Sequence, residues 1–156
     1  MNTPDHWEFL SEYGEDNRIE AKKAQGGLPL SLWETYSSFA NTLGGVILLG
    51  VAEAEDKSLY SVPLFDAQEL ADEFWAMVND PKVASQNILS PEDVQILRSQ
   101  GNEIVAIFVP RATVKQRPVY IGEDPFTGTY YRRGDGDHRA PHHEVEAMLQ
   151  NRENNK

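Results

Sequence analysis

Apolar and polar positions change period several times along this chain, and each change marks an element. Ile19 and Ala21 alternate with the charged Arg18, Glu20 and Lys22, the two-residue period of a half-buried strand. The stretch Gln25-Gly26-Gly27-Leu28-Pro29 breaks it. Leu32, Tyr36, Phe39, Ala40 and Leu43 then recur at helical spacing, and Ser31 with Glu34 has the spacing of a capping box. Gly44 stands where a left-handed cap would end this helix. Val46 to Val51 is apolar without alternation, the signature of a central strand buried on both faces.

Further along, Ser58 to Val62 reads as a weaker strand. Asp66 begins a second helix as N-cap, with Glu69 three residues on and Leu70, Phe74, Met77 and Val78 as its apolar stripe. Asn79-Asp80-Pro81 stops it, and a long loop with two prolines follows. Residues 93–110 predict a hairpin turning at Gln100-Gly101-Asn102. Residues 117–122 and 128–134 predict a second hairpin, and 134–138 a loop. Pro141 suits the first turn of a last helix ending near Leu149. The order predicts a single α+β domain with a mixed, largely antiparallel sheet and about three helices. An acidic segment, 1–11, precedes the domain at 12–150, and a polar tail, 151–156, is expected to fray.

Composition narrows the function classes. A chain of 156 residues suffices for one domain with a real core. It has no cysteine, which removes disulfide and thiolate chemistry and fits a reducing cytoplasm. The first sixteen residues carry no Lys or Arg, so they do not read as a targeting peptide. No apolar run approaches the ~20 residues of a membrane span. Fourteen cations against 25 acids give a net charge of −11, which opposes non-specific nucleic-acid binding. Nine of the fourteen nevertheless fall in two windows: Arg18, Lys22 and Lys23, then Arg111, Lys115, Arg117, Arg132, Arg133 and Arg139.

Several motifs carry candidate chemistry. Gly44-Gly45 lacks the Lys-Ser/Thr of a phosphate-binding loop and no helix begins after it; it reads as a helix-to-strand joint that permits close backbone approach. Glu20 and Lys22 share a strand face, with Glu15 upstream and Glu53 at the end of the central strand. Such acids can hold a divalent cation while a lysine orients water; the plain alternative is a surface ion pair. His138, His142 and His143 near Asp135 and Asp137 match no metal-ligand pattern and read as an exposed helix start. Tyr131, Arg132 and Arg133 could stack bases and hold phosphates, or cover a sheet face.

Together these pieces resemble the AlbA-type, Schlafen-like DNA-binding domain family, also called a divergent AAA domain. The resemblance rests on Glu15 through Lys22, on Ser38-Phe39-Ala40-Asn41-Thr42-Leu43-Gly44-Gly45 with the following apolar strand, on Arg117-Pro118-Val119-Tyr120, on Gly128-Thr129-Tyr130-Tyr131-Arg132-Arg133-Gly134, and on a closing helix. Ala21 stands where the family has Phe, and Ala52 where an acid often follows. The resemblance implies a nucleic-acid-binding domain of a bacterial transcriptional regulator. Lys22, Lys23, Arg117, Tyr131, Arg132 and Arg133 would contact nucleic acid, and Asn41, Thr42, Gly44 and Gly45 would be the structural motif. An alternative it implies is a metal-dependent endonuclease with Glu15, Glu20 and Lys22 as catalytic residues and Mg²⁺ or Mn²⁺ on Glu15, Glu20 and Glu53. A nucleotide- or protein-binding regulatory module is a third reading. No cofactor is otherwise implied, and self-association is left open.

Overall fold

A computed structural model describes residues 18–155. Its centre is a four-stranded sheet in the order β1-β2-β6-β5. The strands are β1 (Ile19–Lys22), β2 (Gly45–Leu49), β5 (Val94–Ser99) and β6 (Asn102–Val109). β1 runs parallel to β2, and the other pairings are antiparallel. Helix α1 (Ser31–Asn41) makes the crossover between the two parallel strands. Two ribbons lie outside the sheet: β3 (Val51–Glu53) with β4 (Leu59–Ser61), and β7 (Tyr130–Arg133) with β8 (Gly136–Arg139). Helices α2 (Ala67–Val78), α3 (Pro125–Gly128) and α4 (His142–Asn154) complete the α+β fold. Among the described residues no helix is long and apolar enough to cross a membrane.

The apolar run of β2 explains its place. All five of its residues are buried. Ile47 and Leu49 face α1 and α2, where Phe39, Tyr36 and Phe74 form the larger core. Val46 and Leu48 face the other way, against Ile104 and Ala106 of β6. A strand buried on both faces has no polar positions to spare, so alternation is lost. Edge strand β1 keeps its alternation: Ile19 and Ala21 join the second core, while Glu20 and Lys22 lie opposite Ile47 and Leu49 on the helix side.

Several sequence expectations need correction. The run does not continue to Val51. Gly50, at φ +87°, turns the chain out of the sheet, and a Cβ there would sit 2.9 Å from the Leu64 side chain. Ser31 and Glu34 form no capping box. Pro29 and Leu30 carbonyls accept from the Leu32 and Trp33 amides, and the Ser31 hydroxyl accepts from Lys22 instead. Leu43 is exposed, because α1 has ended at Asn41. The second hairpin is not the expected one: Tyr120 and Thr129 make a single bridge, whereas residues 134–138, expected as a loop, form the turn and much of β8. The last helix runs on to Asn154, since Arg152 donates to the carbonyls of Gln116, Arg117 and Pro118 and fastens the tail to the body.

Other expectations hold. Asp66 caps α2 by accepting from the Glu69 amide at 3.0 Å. The β5–β6 hairpin turns at Gln100-Gly101, both at positive φ. The long loop after α2 is tied down by Tyr36, whose hydroxyl donates to Gln86 O and accepts from the Ile88 amide. Burial pushes that phenol up to about 12, against a smaller opposing effect of the Ile88 bond.

Gly44 takes φ +78°, and its amide donates to Phe39 O at 2.8 Å. A Cβ at Gly44 would stand 2.8 Å from Val109 O. Valine and asparagine there should therefore both destabilise the protein. Valine tolerates a left-handed backbone less well, so Gly44→Val should be roughly 1 kcal/mol or more below Gly44→Asn in urea denaturation. Equal midpoints for the two variants would refute the capping role.

Candidate functional site

The segment from Ser37 to Gly45 joins α1 to β2, and its polar side chains meet the β7–β8 ribbon. Asn41 is central. Its Nδ2 donates to Val119 O at 2.8 Å and Tyr130 O at 2.9 Å, and its Oδ1 accepts from the Val119 amide at 2.8 Å. Ser37 Oγ donates to Val119 O and accepts from the Tyr130 amide. Thr42 Oγ1 accepts from the Arg132 amide at 2.9 Å. These side chains supply the backbone pairing that the start of the ribbon and the strand-like stretch at Val119 lack from other strands. Gly45 completes the joint. A Cβ there would lie 2.7 Å from Arg18 O and 2.8 Å from the Phe39 ring, so the close approach is made by protein and no space is kept for a phosphate.

A chain of charges runs beneath the same ribbon. Arg132 Nη1 meets Asp137 Oδ1 at 2.9 Å and its Nη2 meets Glu20 Oε1 at 3.1 Å. The guanidinium carbon also lies 4.9 Å from the Phe39 ring centroid. Glu20 Oε2 is 3.9 Å from Lys22 Nζ, which donates to Ser31 Oγ at 2.9 Å. Asp137 accepts from both Thr35 and Ser38 of α1. The Arg132 side chain is 5% exposed and Lys22 11%. Two cations expected to contact nucleic acid are thus turned inward and neutralised by carboxylates, tying β1, α1 and the ribbon together. Asp137, Thr35 and Ser38 were not legible as partners. The signal for Asp137 was the Gly134-Asp135-Gly136 turn between two strand-like stretches.

Other cations lie at the surface. Tyr131 and Arg133 lie on the ribbon face opposite Arg132, by strand alternation. Tyr131 faces His138 across the ribbon, with ring centroids 5.7 Å apart. Arg133, Arg139 and Lys23 are exposed. A second group occupies the loop between β6 and Val119. There Arg111 and Lys115 are exposed and Arg117 is half-buried. Burial first, and the charge of Arg111 second, lower the Arg117 pKa, so the two guanidinium groups lie close enough to repel. Arg152, which sequence reasoning missed because it sits in the polar tail, adds a fourth cation at the carbonyls of 116–118. Among the described residues, none of Lys23, Arg111, Lys115, Arg117, Arg133 or Arg139 is in an ion pair.

The acids expected to hold a metal do not assemble among the described residues. Glu20 is held by Arg132 and Lys22. Glu53 is exposed on the β3–β4 ribbon and pairs with Lys57 at 3.5 Å. Glu15 lies outside the described residues. No group of three or more His, Cys, Asp or Glu able to hold a metal occurs among the described residues. Two cations beside Glu20 already offset its charge. His142 stacks on Phe126 at 4.2 Å and meets Glu146 at 3.6 Å.

Residues 6–141 match the model of the family described as Schlafen, AlbA_2. No curated protein matches the chain. Among solved structures, the chain is similar to the N-terminal domain of a "putative ATP-dependent DNA helicase RecG-related protein" from Nitrosomonas europaea. Identity is 27%, the match covers 92% of this chain and 97% of that one, and the TM-score is 0.60. It is also similar to the DIP2311 protein from Corynebacterium diphtheriae, with 18% identity and a TM-score of 0.55. That match covers 92% of this chain and 28% of the other, and it speaks for the fold alone.

Proposed function

The chain belongs to the Schlafen, AlbA_2 family, and from that membership we propose that it is a nucleic-acid-binding module, with DNA as partner, in the setting of a bacterial transcriptional regulator. The observation that carries this reading is the loop group of Arg111, Lys115 and Arg117. These three charges lie within seven residues, Arg111 and Arg117 repel, and none of the three has a carboxylate partner among the described residues. An acidic protein that leaves such a group unbalanced offers an anionic polymer a local site despite its net charge of −11. Backbone phosphates of nucleic acid fit it, because each contact releases condensed counterions. The outer face of the ribbon adds Arg133 for phosphate and Tyr131 for stacking on a base. The Nitrosomonas europaea neighbour, whose name refers to a DNA helicase, supports DNA as partner.

The reading differs from the sequence expectation in its residues. Arg117, Tyr131 and Arg133 are kept, Arg111 and Lys115 are added, and Lys22 and Arg132 are read as holding the fold together. The test is binding to a labelled DNA duplex and a labelled single strand over a range of salt. Replacing Arg111, Lys115 and Arg117 together by alanine should lower the log–log salt slope by roughly 2–3, at about 0.7–0.9 per lost phosphate contact. Arg133→Ala should lower it by about 0.7–0.9. Unchanged affinity and slope in the triple variant would overturn the proposal.

A further inference from the structure

Among the described residues, Phe65 is the most exposed large apolar side chain, at 99%. It belongs to the short connection between β4 and α2, and both flanks of that connection are anchored. Pro63 O accepts from Gln25 Nε2 at 3.0 Å, and the Val62 amide donates to Gly50 O at 2.8 Å. Leu64 turns inward against Gly50 and the main core. Asp66 is held as the N-cap of α2. The segment is therefore pinned on both sides of Phe65, and the ring is presented outward by a fixed backbone.

Two clefts adjoin this residue, and both are lined by Leu64, Phe65 and Asp66. One, of about 180 Å³, reaches between the loop at Ala24 to Gly27 and the first turns of α2. The other, of about 370 Å³, reaches to the β5–β6 turn. The walls are acidic. Glu69 and Glu73 lie on the first cleft, one helical turn apart, and Glu103 lies on the second. Neither Glu69 nor Glu73 has an ion-pair partner among the described residues. Like charges at this spacing repel, and a bound cation would relieve them. Arg98, the cation on the second cleft, donates to Gly101 O.

We propose that the two clefts flanking Phe65 form one docking groove for an extended peptide segment of another protein, carrying an arginine or lysine beside an apolar side chain. The apolar side chain covers the Phe65 ring, and the cation reaches Glu69 and Glu73. The acidic walls repel nucleic acid, so this groove is separate in its chemistry from the Arg111 to Arg117 loop. Buried aromatic anchors ringed by complementary charge are the usual source of affinity in such surfaces.

The probe is a displayed library of random dodecapeptides, panned against the full chain. The selected peptides should be enriched in arginine or lysine next to leucine or an aromatic residue. A synthetic copy of the strongest should lose affinity by about tenfold or more against Phe65→Ser, and similarly against the double variant Glu69→Lys, Glu73→Lys. Far-ultraviolet circular dichroism and thermal melting establish that both variants fold. Binding of the synthetic peptide that is unchanged in both folded variants would overturn the proposal, as would the absence of enrichment or an acidic consensus. Sedimentation of the wild type and Phe65→Ser closes the remaining case: a wild-type dimer lost in the variant assigns the groove to a second copy of this chain and overturns it too.

Discussion

Arg132→Ala is expected to lower the unfolding free energy by about 3–5 kcal/mol, because removing one member of a buried charge pair leaves the largely buried Asp137 without a cation. Arg132 stands between Glu20 and Asp137, and its own side chain is 5% exposed. Asp137 suffers most. Its side chain is 14% exposed, against 28% for Glu20, so less water reaches it when the guanidinium is gone. Thr35 and Ser38 still donate to it, but hydroxyl donors do not replace a positive charge. Adding Asp137→Asn to Arg132→Ala should restore part of the loss, since the orphaned charge is removed with it. The neighbouring Arg133→Ala should change stability by no more than about 0.5 kcal/mol, as expected for an exposed side chain with no ion pair. Urea unfolding of the four proteins decides the assignment. A mild effect of Arg132→Ala would mean that Arg132 is not the keystone between β1 and the ribbon, and would reopen it as a surface cation.

Asn41→Ala is expected to cost roughly 2–5 kcal/mol, since it strands two buried backbone groups at about 1–3 kcal/mol each. The groups are the Val119 amide and the Tyr130 carbonyl, while the Val119 carbonyl keeps Ser37 Oγ as a donor. An amide side chain offers two donated hydrogen bonds and an acceptor at once, which a single hydroxyl does not. Asn41→Asp keeps the acceptor for the Val119 amide but faces two carbonyls with a carboxylate, so it should be nearly as damaging as alanine. Hydrogen exchange gives a local reading. The Val119 amide should exchange faster in Asn41→Ala than amides of β2 and β6 that keep their ladder partners. A loss under about 1 kcal/mol, with Val119 still protected, would show that Ser37 and water can hold the joint without Asn41.

Local patterning carried much of the fold. The alternation of Ile19 and Ala21 placed β1, and the unbroken run from Val46 predicted a strand covered on both faces, as β2 is. Asp66 with Glu69 located the start of α2, and Gln100-Gly101 located the β5–β6 turn. Each of these rests on contacts within a few residues, where spacing along the chain and position in space are nearly the same thing. The errors lay where a short local signal met a distant competitor. Ser31 had the spacing of a cap, but the amine of Lys22 reached its hydroxyl first. The tail had the composition of a fraying end, but the Arg152 guanidinium found three carbonyls more than thirty residues away.

The site divides in the same way. By itself the sequence determined that a helix must end before Gly44 and turn into a buried strand, and that the charge balance is acidic with cations gathered in two windows. It also pointed to the family, through the stretch from Ser38 to Gly45. Only the tertiary structure decided which cations are available. Arg132 and Arg133 are adjacent and chemically identical, yet strand alternation sends one under the ribbon to Glu20 and Asp137 and leaves the other outside. Lys22 and Glu20, which spacing alone could offer to a metal and a water, are drawn into that same inward chain. The physical reason is that a charge takes its role from what surrounds it in space. Desolvation and ion pairing are set by residues such as Asp137, whose distance along the chain from Glu20 and α1 carries no trace of their contact.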